Sequence, residues 1–493
     1  MNDMFIKIAS VITATLACPL TAQVGNPDDS ILFEEQFFVG SQYVSFEIAS
    51  NGNLFGFPFI TGPESDPGFT TVLRTSESTQ DIYTEIFPTD VFGNNSSVAF
   101  AGADTFLYFN DAYLNSQGIR TGVVITYEVT QAGGLNELDR ICPPSTYDVI
   151  GTTSRNPIDA EQDQFVISLY MEGEDLYSKT CIYRKGSNGW SLDGTITRDD
   201  RKVSSLAIEG DVLVICYQND RVELHERDTG GSWNFAVELL PFDSTGFVNI
   251  QTPEHFGAQC DMQNGMIVVS DTTINVFDPT IGVGGLDQSS GACFVYSYSS
   301  GVLSELAVLF EHDGTELGQG ESRGYGESID LSSDGEYLVV GAPYFDFAPG
   351  LYQTSGATFL YETNDFSVSP VKYFDSQRAN DCSGGGERYG QSVRLSGGTL
   401  AIFTSEYIEN MDPNCESLGN DEQALLLYTD AISSTACNAA DLADEIGVLN
   451  FLDVSAFLLA FGNMDPLADL NSDSSFNFLD VSAFLTLYGQ GCP

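Results

Sequence analysis

Positive charge is what this chain has least of. Its 493 residues carry 18 Lys and Arg against 70 Asp and Glu, a formal net charge of -52. Phosphate binding needs clustered Lys and Arg, so nucleic acid is excluded as a partner. The acids are scattered rather than blocked. That reads as a solvated, solubilising surface, and its functional counterpart is a preference for cations or basic partners. There are three histidines, His225, His255 and His312, too few and too dispersed for a metal cluster or a catalytic triad. Tryptophan is limited to Trp190 and Trp233, which leaves few platforms for stacking sugars. No two cysteines have CxxC spacing, which argues against a zinc or dithiol motif. After the N-terminal stretch no segment has the length and apolarity of a transmembrane helix.

The N-terminus reads as an export signal. Lys7 supplies the positive charge, Ile8 to Cys18 is apolar but too short to span a bilayer, and Leu20-Thr21-Ala22 offers small residues for cleavage. Residues 1–22 are therefore expected to be a signal peptide and the mature chain secreted. Thr15 stands where a lipobox carries Leu, which disfavours Cys18 as a lipid anchor. A secreted chain makes disulfides expected. By neighbourhood the pairs are Cys142–Cys181, Cys260–Cys293, Cys382–Cys415 and Cys437–Cys492, with Cys216 left over in the apolar run Val212 to Cys216. Spacing does not prove that pairing.

Residues 30 to 430 lack a helical period. Short β-rich runs alternate with Gly, Asn, Asp and Ser turns, the pattern of a sandwich, barrel or propeller. An internal repeat chooses among them. Phe256-Gly257, Asn264-Gly265 and Met266 to Val269 align with Tyr325-Gly326, Asp334-Gly335 and Tyr337 to Pro343, and with Tyr389-Gly390, Gly397-Gly398 and Thr399 to Phe403. Each copy continues into a second apolar arm: Ala292 to Tyr298, Ala357 to Tyr361 and Ala424 to Tyr428. Weaker copies begin at Phe92-Gly93, Phe165 and Val203, and another spans Val44 to Ile60. A period of roughly 60 to 70 residues suits a four-stranded blade with a long loop, and the copies add up to about seven blades. The expected fold class is mainly β: a propeller of about seven blades over residues 23–430, a linker at 431–436, and a small α-helical domain over 437–493. Tyr325-Gly326-Glu327-Ser328, ending in Val340-Gly341-Ala342-Pro343, resembles the FG-GAP repeat of integrin-α-like propellers. That family often carries an Asp-rich Ca2+ loop, but no clean D-x-D-x-D-G stands in this chain.

The tail carries the most specific signal. Asn450-Phe451-Leu452-Asp453-Val454-Ser455-Ala456-Phe457-Leu458 recurs as Asn477-Phe478-Leu479-Asp480-Val481-Ser482-Ala483-Phe484-Leu485. Each copy continues as an amphipathic helix, with Phe451, Val454, Phe457, Leu458 and Phe461 on one face of the first, and Phe478, Val481, Phe484, Leu485 and Tyr488 on one face of the second. Ahead of the second helix, Asp469, Asn471, Asp473, Asn477 and Asp480 fall at loop positions 1, 3, 5, 9 and 12, with the Ser475 carbonyl at 7, the spacing of a Ca2+ loop. Ser474 replaces the usual Gly at position 6. The first copy is a weaker loop, with Asp444, Asn450 and Asp453 at matching positions and Asp441 reached by one extra residue.

Duplicated loop-helix units of this kind resemble dockerins, and Cys437 with Cys492, in Gly491-Cys492-Pro493, resembles the clasp of GC-type dockerin-like tails. The resemblance implies Ca2+ as cofactor and a cohesin-like or other surface scaffold protein as partner. In that family loop positions 10 and 11 help choose the partner. Here they are Phe451-Leu452 and Phe478-Leu479, either a two-fold-related apolar patch or part of the module's small core.

Gly320-Glu321-Ser322-Arg323-Gly324 matches the G-x-S-x-G of serine hydrolases but lacks the strand before it and the helix after it. No acid stands out as half of a glycosidase pair, although such pairs are set by space rather than spacing. The leading expectation is a secreted, non-catalytic propeller that binds a protein or glycan and is displayed through its tail. The alternatives are a dockerin-tethered enzyme acting on polysaccharide, a hydrolase or lyase, and a structural surface component. Two convergent carboxylates in a pocket on the propeller axis would favour the enzyme.

Overall fold

In the computed structural model, the residues described are the strands between residues 29 and 86, most of 96–310, 324–345, most of 356–373 and 389–407, 422–428, and in the tail Ala440, scattered positions of 454–470, and 477–490. The chain divides into two compact units, one of Met1–Gly397 and Ala401–Tyr428, the other of Gly398–Leu400 and Thr429–Pro493.

The first unit is a β-propeller. After β1 (Asp29–Phe33), the chain lays down antiparallel sheets in sequence order. These are β2 to β5 (Ala49–Ser50, Leu54–Phe59, Phe69–Arg74, Tyr83–Ile86) and β6 to β9 (Ser96–Ala101, Thr105–Asn110, Val123–Val129, Leu135–Ile141). Next come β10 to β14 (Asp148–Ile150, Ile158–Glu161, Gln164–Met171, Ser178–Gly186, Gly189–Arg198), then β15 to β18 (Val203–Glu209, Val212–Tyr217, Arg221–Arg227, Trp233–Leu239). The following sheet uses β19, β20, β23 and β24 (Phe256–Gln263, Met266–Asp271, Ala292–Ser299, Val302–Leu309), with β21 (Val276–Phe277) and β22 (Leu286–Asp287) as a two-stranded ribbon between β20 and β23. Then come β25 to β28 (Ser328–Leu331, Tyr337–Ala342, Ala357–Glu362, Val371–Tyr373) and β29 to β31 (Ser392–Ser396, Thr399–Tyr407, Glu422–Tyr428).

Where about seven blades were expected, six sheets have the regular four-stranded form. The remaining sheet has five strands, because β10 and β11 lie end to end along one edge of β12: β10 pairs with Leu169 to Met171, β11 with Gln164 to Ile167. The last sheet is completed from the far end of the chain. β1 pairs antiparallel with β31, Asp29 opposite Leu427 and Phe33 opposite Gln423, so the two ends of the propeller sequence share one blade. The innermost strands β2, β6, β11, β15, β19, β25 and β29 contact one another in turn, and β29 returns to β2.

Each sheet has two apolar faces and cannot bury them alone, so the cores lie in the seams between neighbouring sheets. One cluster, with Val214, Cys216, Val222, Phe256, Cys260 and Phe294, fills the seam between the β15–β18 and β19–β24 sheets. Another, with Val268, Cys293, Tyr325 and Phe359, fills the next seam. The aromatic-glycine step recognised in the repeat has a clear physical role. Gly257, Gly326 and Gly390 adopt φ of 90°, 87° and 84°, a left-handed backbone that glycine takes without strain, and the preceding Phe256, Tyr325 and Tyr389 are buried. The Tyr325 hydroxyl meets that of Tyr361 at 2.5 Å, and Tyr389 meets Tyr428 in the same way. The step thus ties the start of a blade to its third strand.

The expected neighbour disulfides are corrected in two cases: Cys142 is not bonded to Cys181, nor Cys260 to Cys293. Cys142 lies exposed beyond β9 while Cys181 is buried on β13. Cys260 and Cys293 belong to one sheet but point into different seams, each in its own apolar cluster. Cys382, Cys415, Cys437 and Cys492 lie outside the described residues.

In the second unit, α1 (Phe478–Gln490) follows the duplicated motif, and Val454, Phe457, Leu458, Ala460 and Phe461 are helical in the first copy. The small core holds Ala440, Phe457, Ala468 and Phe484. Phe457 and Phe484 occupy the same position in the two copies and stack on each other, ring centroids 4.2 Å apart at 13°. Among the described residues no helix is long and apolar enough to cross a membrane.

Candidate functional site

The ring of inner strands encloses a cavity of about 350 Å³ lined by residues of β6, β11, β15, β19, β25 and β29. Four carboxylates and one guanidinium line it: Asp159, Asp261 and Asp330 on β11, β19 and β25, Arg394 on β29, and Glu161 at the end of β11. Asp159, Asp261 and Arg394 each stand two residues before the last residue of the inner-strand pairing, so the fold brings them to one level.

Each of the three aspartates makes the same bond to the next inner strand. The Ile208 N–H donates to Asp159 Oδ2 at 2.8 Å, the Leu331 N–H to Asp261 Oδ2 at 2.6 Å, and the Leu395 N–H to Asp330 Oδ2 at 2.6 Å. The other oxygen of Asp261 accepts the Met262 N–H at 2.8 Å. That of Asp330 lies 3.5 Å from Arg394 Nη1, which also donates to the Ile329 carbonyl at 3.1 Å. A second tier nearer the turns repeats the device: Glu161 accepts the Gly210 N–H at 2.7 Å, and Glu209 accepts those of Asn264 and Gly265 at 2.6 and 2.9 Å. These carboxylates are staples between blades.

Their protonation follows from their surroundings. Burial pushes Asp159 up to about 7, with Asp261 adding repulsion, against the lowering effect of the Ile208 and Ala160 N–H groups and Arg394. Burial pushes Asp330 up to about 8; Arg394 and the Leu395 N–H oppose it, and Asp261 and Asp159 add to it. Asp261 is raised as well, chiefly by burial. The charge of Asp261 raises both Asp159 and Asp330, so the titrations of the three are linked.

A second charged cluster lies between the β10–β14 and β15–β18 sheets. Glu223, fully buried on β17, is met by Arg198 at 2.5 Å, Arg221 at 2.6 Å and His225 at 3.0 Å. Burial alone would raise its carboxyl, but the hydrogen bonds of His225 and Arg198 and the charges of Arg198 and Arg221 outweigh it and hold Glu223 down at about 2. Nearby, Asp193 receives Arg227 at 2.8 Å and the Trp233 indole N–H at 3.2 Å. Trp190 packs edge-on against Phe165 at 4.8 Å. Both tryptophans therefore serve the blade seams.

The structure places the expected tail residues unevenly. Asn477 caps α1: its Oδ1 accepts the Leu479 N–H at 2.8 Å, while the Asn477 N–H donates to Asp480 Oδ2 at 2.9 Å. Asp480 is fully buried. Phe478 is 76% and Leu479 59% exposed, so neither completes the core; Phe457 and Phe484 do that. Asp469, Asn471, Asp473 and Ser475 of the second loop lie outside the described residues, as do Asp441, Asp444, Asn450, Phe451, Leu452 and Asp453, and residues 1–22 and 320–323. Among the described residues no group of three or more His, Cys, Asp and Glu is placed to hold a metal ion.

The axial acids were not singled out from the sequence, though a signal existed. Asp159 and Asp261 each stand three residues before a left-handed turn residue, Gln162 and Asn264. Only alignment of the inner strands lifts them out of 70 acids.

No family model matches the chain, and no curated protein matches it. Solved structures do. Sqt1 from Chaetomium thermophilum is similar over 74% of this chain and 81% of its own, at 12% identity and a TM-score of 0.42. The same protein bound to the N-terminus of the ribosomal protein L10 covers 73% and 82%, at 12% and 0.40, and Saccharomyces cerevisiae Sqt1 covers 80% and 97%, at 10% and 0.40. This is a likeness of fold alone. The expectation of a secreted protein is withdrawn here: the solved structures similar to this chain include Sqt1, once with the N-terminus of a ribosomal protein, and none of the three supports export. Export is not carried forward, and at 10–12% identity no location is assigned to this chain.

Proposed function

We propose that this chain is a non-catalytic binding protein, a propeller that takes a protein partner, carrying a dockerin-like, Ca2+-binding tail as a second docking module. The observation that carries the tail reading is its internal two-fold character. Phe457 and Phe484, equivalent in the duplicated motif, stack on each other, while the equivalent Leu458 and Leu485 are both 59% exposed, and Phe478 and Leu479 are exposed as well. A core built on one equivalent pair and an apolar surface built on another is what a module reading a scaffold protein needs. The described part of the loop fits a hard cation: Asp480 brings a buried carboxylate to the start of α1, where an anion is favoured and where the closing acid of a Ca2+ loop stands. Asp469, Asn471, Asp473, the Ser475 carbonyl and Asn477 would supply the other oxygens. For the propeller, a charge of -52 favours a basic protein segment as ligand. The test is calorimetric titration of Ca2+ into the full chain and into Asp473→Asn. Binding lost in the variant supports the module; a chain that takes up no Ca2+ sinks it.

A second reading has one specific observation in its favour. The axis does carry several carboxylates with raised protonation ranges, the arrangement a propeller hydrolase would use. Against it, each carboxylate already holds a backbone N–H of the next blade. Hydrolysis of an acidic or neutral polysaccharide panel, abolished in Asp330→Asn without loss of folding, would establish the enzyme instead.

A further inference from the structure

Cys216 and Cys260 belong to neighbouring sheets yet share one small space. Cys216 is on β16 and Cys260 on β19; both are buried, and both belong to the same apolar cluster in that seam. Ser205 links them. It stands directly opposite Cys216 in the β15–β16 pairing, and its hydroxyl lies 3.1 Å from the Cys260 amide nitrogen, which donates to it, and 3.6 Å from Cys260 Sγ. Gly257 shows how close β19 comes: a Cβ added there would sit 3.2 Å from Cys216 Cβ and 3.6 Å from its Sγ. Burial pushes the Cys216 thiol well up, and Cys260 beside it adds to the rise.

We propose that Cys216 and Cys260 form an oxidisable pair, and that their disulfide staples the β15–β18 blade to the β19–β24 blade. The oxidant is a small-molecule disulfide such as oxidised glutathione. The thiolate of one cysteine attacks a glutathione sulfur, forming a mixed disulfide and releasing one glutathione thiolate. The second cysteine's thiolate attacks the protein-bound sulfur and releases the other. Two protein thiols are oxidised, one glutathione disulfide is reduced to two thiols, and the two protons pass to the departing thiolates. Burial makes both the thiolate and the oxidant's approach rare, so the reaction waits on opening of the seam. The pair is therefore a slow staple rather than a fast sensor. A bond across the seam also constrains the unfolded chain, so the oxidised form melts higher.

The test holds the full chain in a glutathione redox buffer a few degrees below its melting temperature, then maps disulfides by non-reducing peptide mass spectrometry. The expected product is a Cys216–Cys260 cross-link, a melting temperature several degrees higher, and reversal of both by dithiothreitol. Cys293, which faces the other seam, stays a thiol. Cys216→Ala and Cys260→Ala, apolar substitutions tolerated in that core, each abolish the cross-link and the rise. Recovery of Cys216 and Cys260 as thiols, as separate glutathione adducts, or with Cys260 joined to Cys293, overturns the proposal.

Discussion

Replacing an axial aspartate by asparagine should stabilise the propeller at alkaline pH, which is the reverse of what loss of a hydrogen-bonded carboxylate usually does. Asp159 is the clearest case. In the unfolded chain its carboxyl titrates near 4. In the folded chain burial, with Asp261 adding repulsion, moves it to about 7. Between those values the folded chain holds a proton that the unfolded chain has released, so stability falls as pH rises through the window, and below it the contribution is fully present. A displacement of that size corresponds to about 4 kcal/mol as a ceiling for one isolated group. Asp330, pushed to about 8, extends the window upward, but the acids repel one another, so their effects do not add. Asparagine keeps an oxygen for the Ile208 N–H and brings no charge. The assay is urea denaturation of wild type, Asp159→Asn and Asp330→Asn at pH 5, 6, 7 and 8. Wild type should lose stability from pH 5 to 8. Each variant should flatten that slope and exceed wild type at pH 8 by about 1–3 kcal/mol, less than the ceiling because the remaining acids still repel. A wild type no less stable at pH 8 than at pH 5, or variants with unchanged slopes, would refute the reasoning.

Glu223→Ala leaves Arg198, Arg221 and His225 around an empty buried position and should cost about 3–5 kcal/mol by denaturant titration; a loss below about 1 kcal/mol would mean the cluster is solvated. Because Glu223 is held down at about 2, its contribution is present above the ordinary carboxylate range and is lost as pH falls from about 4.5 toward 2 in an acid melt. Gly341→Ala should fail to reach a stable fold: its Cβ would meet the Gly390 carbonyl oxygen at 2.0 Å and Ser328 Oγ at 2.4 Å, and thermal melting should show a loss of about 3 kcal/mol or more. In the tail, Phe484→Ala should cost about 3–4 kcal/mol of that unit's stability through the lost stack, whereas the exposed Leu485→Ser should stay within about 0.5 kcal/mol, both read by near-UV circular dichroism during melting.

The strands, the blade repeat and the aromatic-glycine steps were legible in the sequence because they are local. Alternation with period two, an Asn-Gly turn and a Gly after a buried aromatic are each written within a few residues. The second tail helix was legible for the same reason, and Phe457 and Phe484 pack as their shared position implies, whereas Leu458, Phe478 and Leu485, placed on the same faces by their period, are exposed. The blade form was only partly legible, since the split of one inner strand into β10 and β11 leaves no mark in the repeat. The pairing of β1 with β31 joins residues almost 400 apart, and ring closure alone brings them together. The axial acids, the Glu223 cluster and the Cys216–Cys260 contact share that origin. Each is a meeting of side chains from different sheets, and sequence spacing carries no record of which face of one blade will press on the next. The expected Cys260–Cys293 disulfide failed on this point, because the two lie close along the chain yet on opposite faces of one sheet. Sequence determined what each blade is made of; only the closed ring decided which of its charges and thiols would be taken out of water, and beside which partners.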